Sequence, residues 1–380
     1  MNMLCHSISL VRNSARRRHI WMLAAVVVLL ASTIVPVSFT QSSRTITTVA
    51  GTGVCGFSGD GGSATFGQLN RQAGLCADLA GNVYIADLGN HVVRRVSTFG
   101  VITTVAGTGA PGFNGDGKVA TNSQLAAPAA VAVDATGRNL YVVDNGNHRI
   151  RRVDLSTGTM TTFAGGGNPA DGLGDGKLAT EAKLISPSAI AIDALGNVFI
   201  ADYGHFRVRR VDITTGTITT VAGSGARGFC GDGGPALSAC FKGIVALAFG
   251  PAGELYIADA DDRRVRKLSN GVITTFAGNG AFTLPTPGPA IQSSIKRPQG
   301  LAVDVDGSVY ITDNVNHQVY RVSPSGILSI AVGTGTPGYA GDSGAAEYAM
   351  LNGPSGLAMD RFRNLYISDT LNCRVRRVGP

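Results

Sequence analysis

The amino-acid sequence predicts an all-β protein built from six copies of one four-stranded unit, and three observations carry this prediction. The string RTITTVAGTG at 44–53 returns as VITTVAGTG at 101–109 and, with substitutions, at four later places. A second string, GNVYIADLGNHVVRRV at 81–96, also occurs six times. Glycine-rich turns separate the short β-branched runs, which is typical of antiparallel strands joined by tight turns.

The second unit shows how each copy divides into strands. The predicted strands are Ala130–Asp134, Asn139–Asp144, Arg149–Val153 and Met160–Ala164, with turn residues between them. Six such meanders in succession predict a six-bladed β-propeller with four-stranded antiparallel blades.

The first copy of the repeated string precedes every first strand, whereas the last unit reaches Pro380 after only three strands. We therefore expect Thr45–Ala50 to supply the outermost strand of the last blade. This pairing would close the ring and remove two exposed sheet edges.

The net charge of +7 includes four arginines in residues 1–40, which contain no acidic residue, so +3 remains for residues 41–380. This balance argues against a strongly basic surface, and no aromatic interleaving supports base stacking. We predict no nucleic-acid partner.

Residues 1–40 are predicted to be a signal peptide or an N-terminal membrane anchor, and residues 41–380 the propeller. Arg16–Arg18 precede Ile20–Phe39, which carries no charge. The length of this apolar run leaves both alternatives open. Either one places the propeller outside the cytoplasm, secreted or held at the membrane through this segment alone.

Five cysteines follow the leader: Cys55, Cys76, Cys230, Cys240 and Cys373. Cys230 and Cys240 fall in one loop and could pair. Cys76 occupies a repeat position that is alanine in the other units, so we expect a buried, inert thiol.

Two charged columns are complete in all six units. The acidic column, at the end of the second strand, is Asp87, Asp144, Asp202, Asp259, Asp313 and Asp369. The basic column, in the third strand, is Arg95, Arg152, Arg210, Lys267, Arg321 and Arg377. A packing device is needed in every repeat, whereas a catalytic group is needed once, so we interpret both columns as structural carboxylate–guanidinium pairs.

The long loop between each fourth strand and the next first strand is the candidate binding region. Five of these loops carry a Gly-Asp turn, with Asp60, Asp116, Asp175, Asp232 and Asp342. The loops are expected on one face together with the second-to-third strand turns, and that face carries most of the variation between units. The turn oxygens leave a bound calcium ion open, and no other cofactor is predicted.

No catalytic or metal-ligating residues are predicted. The histidines after the leader, His91, His148, His205 and His317, fall in different units, so the ring should spread them over separate blades. No Ser-His-Asp or Cys-His set is recognisable.

The stretch NVYIADLGNHVVRRV, followed by GVITTVAGTG, resembles the NHL repeat, in particular the NHL repeats of exported bacterial proteins and of teneurins. The resemblance covers residues 44–380, although Arg263 and Cys373 replace the histidine of the motif. It implies a propeller but no single activity, because protein-binding, RNA-binding, sensor and metal-dependent lyase members share it.

We predict an exported, monomeric, non-enzymatic propeller that binds a protein or carbohydrate ligand through its long-loop face. The alternative is a metal-dependent lyase or lactonase-type hydrolase with its site at the central channel mouth. A sensor or spacer domain of an envelope complex is a third interpretation.

Overall fold

The computed structural model describes residues 44–380, and the predicted leader lies outside the described residues. These residues form six antiparallel sheets, each a propeller blade of four long strands, as predicted. The strands are, in chain order, β1 (Ile46–Ala50); β2 (Gln72–Ala77), β3 (Val83–Asp87), β4 (Val92–Val96) and β5 (Ile102–Ala106) of blade 1; β6 (Lys118–Val119), β7 (Pro128–Val133), β8 (Asn139–Asp144), β9 (Arg149–Asp154) and β10 (Thr159–Gly165) of blade 2; β11 (Pro187–Ile192), β12 (Val198–Asp202), β13 (Arg207–Val211) and β14 (Ile218–Ala222) of blade 3; β15 (Ile244–Phe249), β16 (Leu255–Asp259), β17 (Arg264–Ser269) and β18 (Val272–Ala277) of blade 4; β19 (Gly288–Pro289), β20 (Pro298–Val303), β21 (Val309–Asp313), β22 (Gln318–Val322) and β23 (Ile327–Val332) of blade 5; and β24 (Pro354–Met359), β25 (Leu365–Asp369) and β26 (Arg374–Val378) of blade 6.

Single 3₁₀ turns occur in the long loops and after the second strands. They are Ala64–Phe66, Leu88–Asn90, Ala120–Asn122, Asn145–Asn147, Ala179–Glu181, Tyr203–His205, Ala236–Ser238, Ala260–Asp262, Ala346–Tyr348 and Thr370–Asn372. Within residues 44–380, no helix has the length and apolar character needed to cross a membrane.

The N-terminal strand closes the ring. β1 pairs antiparallel with β26, with Ile46 opposite Val378, and so completes blade 6 as predicted. Arg44 Nε donates a hydrogen bond to the carbonyl of Gly379 at 2.6 Å. A disulfide between Cys55 and Cys373 adds a covalent link at the same seam.

The hydrophobic core consists of six clusters, one at each boundary between neighbouring blades in the described ring. At the seam, for example, Leu75 and Ile85 of blade 1 pack with Tyr366 and Val375 of blade 6. Every blade therefore buries both of its faces against neighbours, and the ring must be complete for all six clusters to form.

Cys230 and Cys240 form a disulfide, which answers the question that the sequence left open. Cys76 is unpaired and part-buried beside the cluster between blades 1 and 2. Burial raises the pKa of its thiol, so it stays protonated and unreactive at neutral pH.

Candidate binding surface

The acidic column lies inside the blades. All six aspartates have no exposed surface, as shown by Asp87, Asp144, Asp202, Asp259, Asp313 and Asp369. Asp87 accepts hydrogen bonds from the backbone N–H of Asn70 at 2.8 Å and from the Asn90 side chain at 2.8 Å. Burial raises the pKa of Asp87 to about 6. The carboxylate thus joins the segment that enters the blade to the turn after β3.

The buried basic partner is not the residue predicted from the sequence. Arg94, which is fully buried, lies 3.7 Å from Asp87 and 2.7 Å from Asp60. Arg151, Arg209 and Arg376 make the same two contacts in their blades. The pairing predicted for the Arg95 column is therefore wrong by one position.

The physical reason is strand alternation, because consecutive side chains point to opposite faces of a sheet. Residues of the Arg95 column lie cross-strand from an aromatic column instead. The facing pairs are Tyr84 and Arg95, Tyr141 and Arg152, Phe199 and Arg210, Tyr256 and Lys267, Tyr310 and Arg321, and Tyr366 and Arg377.

The Gly-Asp turns of the long loops are anchored rather than free. Each loop aspartate contacts the buried arginine of its blade at 2.6–3.0 Å; the pairs are Asp60–Arg94, Asp116–Arg151, Asp175–Arg209, Asp232–Arg266 and Asp342–Arg376. The Asn90 side chain also holds the carbonyl of Gly56 at 2.8 Å. The long loops and the second-to-third strand turns therefore form one rigid surface, which we call the upper face.

Half-exposed aromatic rings lie on this upper face, and the sequence did not lead us to predict them as binding residues. They are Phe57, Phe113, Phe229, Phe282 and Tyr339, with 39–58% of each side chain exposed. Arg94 stacks on Phe57 with its guanidinium carbon 4.7 Å from the ring centre, and Arg376 stacks on Tyr339 at 4.9 Å. Four of these rings could have been recognised in the sequence, because each comes three residues before the loop aspartate.

One sector of the upper face departs from the sixfold pattern. The second-to-third strand turn of blade 4 carries Asp261 and Asp262, where other units have no carboxylate. The Tyr203 hydroxyl donates to Asp261 at 3.2 Å, and Arg227 and Arg297 lie 3.9 and 4.0 Å from the same carboxylate. Both arginines remain largely exposed, so this sector presents charges that the symmetric sectors lack.

The central channel is narrow and apolar. Its cavity of about 200 Å³ is lined by the innermost strands, chiefly alanine, glycine and leucine with Ser188, Gln299 and Ser355. A Cβ atom added to Gly300 would lie 2.1 Å from the Ser355 carbonyl oxygen, which shows how closely these strands approach. No titratable side chain lines this part of the channel.

Three of the four histidines form a hydrogen bond with the next blade. Nδ1 of His91, His148 and His317 accepts a backbone N–H from the next blade, donated by Ala127, Ser186 and Gly353 at 3.0–3.1 Å. His205 instead contacts Asp202 at 2.8 Å, where four of the other units use asparagine. Among residues 44–380, no three His, Cys, Asp or Glu side chains converge on a point where they could hold a metal ion.

Comparison with known proteins agrees with this architecture. The NHL repeat family matches residues 125–153 and 296–320. Protein SUPPRESSOR OF QUENCHING 1, chloroplastic, of Arabidopsis thaliana is 26% identical over 73% of this chain, and Teneurin-1 of Mus musculus is 32% identical over 56%. The chain spans only 27% and 8% of these two relatives.

Solved structures share the fold at low identity. An auxiliary nutrient binding protein from Bacteroides thetaiotaomicron superposes with a TM-score of 0.65 at 17% identity, covering 89% of this chain and 76% of that one. A streptogramin B lyase superposes with a TM-score of 0.52 at 13% identity, covering 89% and 98%.

Six four-stranded blades, closed by a strand from the opposite end of the chain, define a β-propeller. All six repeats carry the buried aspartate, five carry the buried arginine, and three carry Asn-His in the turn between the second and third strands. The chain is therefore a six-bladed β-propeller that contains NHL repeats.

Proposed function

We propose that this protein is an exported, non-enzymatic binding module that takes a protein or carbohydrate ligand on its upper face. The observation that carries the proposal is the set of half-exposed aromatic rings, four of which stack on a buried arginine. Rigid aromatic rings offer large contact areas at small entropic cost, and they are enriched at protein recognition sites.

The charges beneath the rings favour a neutral or mixed ligand over a polyanion. Arg94, for example, is fully buried between two carboxylates, so its charge is compensated within the blade. The Asp261 sector adds exposed charges of both signs, which suit the polar rim of an interface. The Gly-Asp turns of the long loops contribute half-exposed carboxylate oxygens to the same surface.

An enzymatic site at the channel mouth is less well supported. The channel is lined chiefly by small and apolar side chains, and no titratable side chain is among them. The lyase neighbour shares the fold at 13% identity, which carries no activity to this chain.

The test compares two double variants of the full chain, Phe57→Ser/Tyr339→Ser on the upper face and Phe99→Ser/Phe362→Ser in turns of the opposite face. All four side chains are at least two-fifths exposed, so folding should be retained. Wild type and variants are applied to a glycan array and to an array of extracellular protein domains. We expect the upper-face variant to lose at least about tenfold in affinity for the captured ligand, since aromatic anchors dominate binding energy. Absence of any ligand, or equal loss in both variants, would contradict the proposal.

A further inference from the structure

A cleft opens at each of two blade boundaries on the opposite face, which is formed by the first-to-second and third-to-fourth strand turns. Between blades 1 and 2 the cleft is polar, lined by Asp78, Asn82, Tyr84 and Arg95. Between blades 3 and 4 the cleft at the same repeat position has a volume of about 640 Å³ and an apolar lining. The polar cleft between blades 1 and 2 can therefore be compared directly with the apolar cleft between blades 3 and 4.

Four substitutions distinguish the lining of the second cleft: two replace polar residues, and two enlarge side chains that are apolar in the other units. Phe199 stands where every other blade has tyrosine, and Phe249 stands where the other units have smaller side chains. Leu237 replaces a threonine found in units one to three, and Leu268 replaces valine. Phe199 and Phe249 pack edge to face at 4.9 Å, and they form the aromatic wall of the cleft.

The missing hydroxyl matters because tyrosine in this column normally takes part in a polar contact. Tyr84 donates to Asp78 at 3.4 Å, and Tyr366 donates to Asp360 at 3.2 Å. Asp193 is present in blade 3, but its oxygens accept hydrogen bonds from Leu195 and Asn197. The floor of the cleft is consequently aromatic, and Asp193 is the one carboxylate in its lining.

We propose that the cleft between blades 3 and 4 binds a small, uncharged molecule with two or three aromatic or alicyclic rings. Volumes of this size suit drug-sized ligands, and such pockets are mostly apolar with a few polar groups that set orientation. Ser269 and Asn270 line the cleft, Ser269 part-buried and Asn270 exposed. They can orient one hydroxyl or carbonyl of the ligand. Leu195 and Leu237, 81% and 58% exposed, flank the opening.

The cleft includes Pro235–Leu237 of one long loop but none of the aromatic rings of the upper face and not Asp261, so it can be tested independently of the proposed function. The probe is N-phenyl-1-naphthylamine, a neutral two-ring dye whose fluorescence rises in apolar surroundings. It is titrated into the full chain and into three variants: Phe199→Tyr, Leu195→Asp and, as a matched control in the same turn of blade 1, Leu79→Asp.

We expect saturable binding at one site that depends on the cleft. Phe199→Tyr restores the residue of the other blades, so the fold should be kept, and it places a hydroxyl near Asp193. The bound dye would then cover a polar group that is otherwise in contact with water, and we expect binding to weaken by about tenfold. Leu195→Asp should weaken it similarly, and Leu79→Asp should leave it unchanged. Absence of saturable binding, or one affinity shared by all four proteins, would overturn the proposal.

Discussion

At the residue scale, the fold depends on a buried arginine that is shared by two carboxylates and one aromatic ring. Arg94 meets Asp87 inside the blade, Asp60 on the loop and Phe57 above. A buried charge is stable only when its partners are in place. Because one of these partners is Asp60 of the long loop, the arginine fixes that loop to the blade. The upper face is held in place because the groups that anchor its loops lie inside the blades.

The two carboxylates should contribute unequally to stability. Arg94→Met leaves Asp87 buried without its cation, and we expect the free energy of unfolding to fall by about 3–5 kcal/mol. Asp60→Asn should cost about 1 kcal/mol or less, because this carboxylate is half-exposed. Urea denaturation of the full chain measures both changes, with Arg95→Met as the control. An effect of Arg95→Met as large as that of Arg94→Met would contradict this assignment.

At the element scale, blade 5 departs from the repeat pattern in its long loop and in its third strand, and the two departures are related. Its long loop lacks the Gly-Asp turn, and its third strand carries Tyr320 where five blades have the buried arginine. Tyr320 is fully buried, and its hydroxyl lies 3.3 Å from Asp313. Without a loop carboxylate, a neutral hydroxyl replaces the cation, so the strand and the loop have changed together.

His317 links blade 5 to blade 6, and this contact should weaken in acid. Its Nδ1 accepts the Gly353 N–H, and burial lowers the pKa of the imidazole in the folded state. The unfolded chain therefore binds the proton more readily, so stability is full above the unfolded pKa of about 6.5 and falls as the pH drops through it.

The matched variant is His317→Asn, whose amide oxygen lies close to the position of Nδ1 and can accept the same N–H but does not titrate. Thermal midpoints of wild type and variant are measured from pH 7.5 to pH 5. The midpoint of the wild type should fall more steeply below pH 6.5. Parallel curves would show that protonation of His317 does not act on this boundary.

The repeats made the fold predictable, because strand length, turn residues and phase agreed in six units. The basic column predicted to pair with the buried aspartates was the wrong one. The third strand usually has two arginines in succession, and the sequence does not reveal which of the two faces inward. The aromatic rings of the upper face were missed because their importance comes from stacking on arginines that are distant in sequence. The apolar cleft requires two blades in contact, so only Phe199 in a tyrosine column hinted at it.

At the scale of the whole molecule, closure combines three kinds of contact at one seam. β1 adds backbone hydrogen bonds to β26, the cluster between blades 6 and 1 adds apolar burial, and Cys55–Cys373 adds a covalent bond. Cys373 occupies the position where His91, His148 and His317 clip neighbouring blades together. At the seam, the chain thus uses a disulfide in place of a hydrogen bond.

The two disulfides should differ in their contribution because they close loops of very different length. Cys55–Cys373 spans 318 residues of sequence, and Cys230–Cys240 spans 10. Loop-closure entropy gives upper estimates of about 6 and about 3 kcal/mol, respectively. We expect Cys55→Ser/Cys373→Ser to lower the thermal midpoint by more than Cys230→Ser/Cys240→Ser does, measured in the same buffer. Since β1 still pairs with β26 without the bond, the seam variant should remain folded at room temperature. A seam variant as heat-resistant as wild type would mean that the strand pairing and apolar packing alone hold the ring closed.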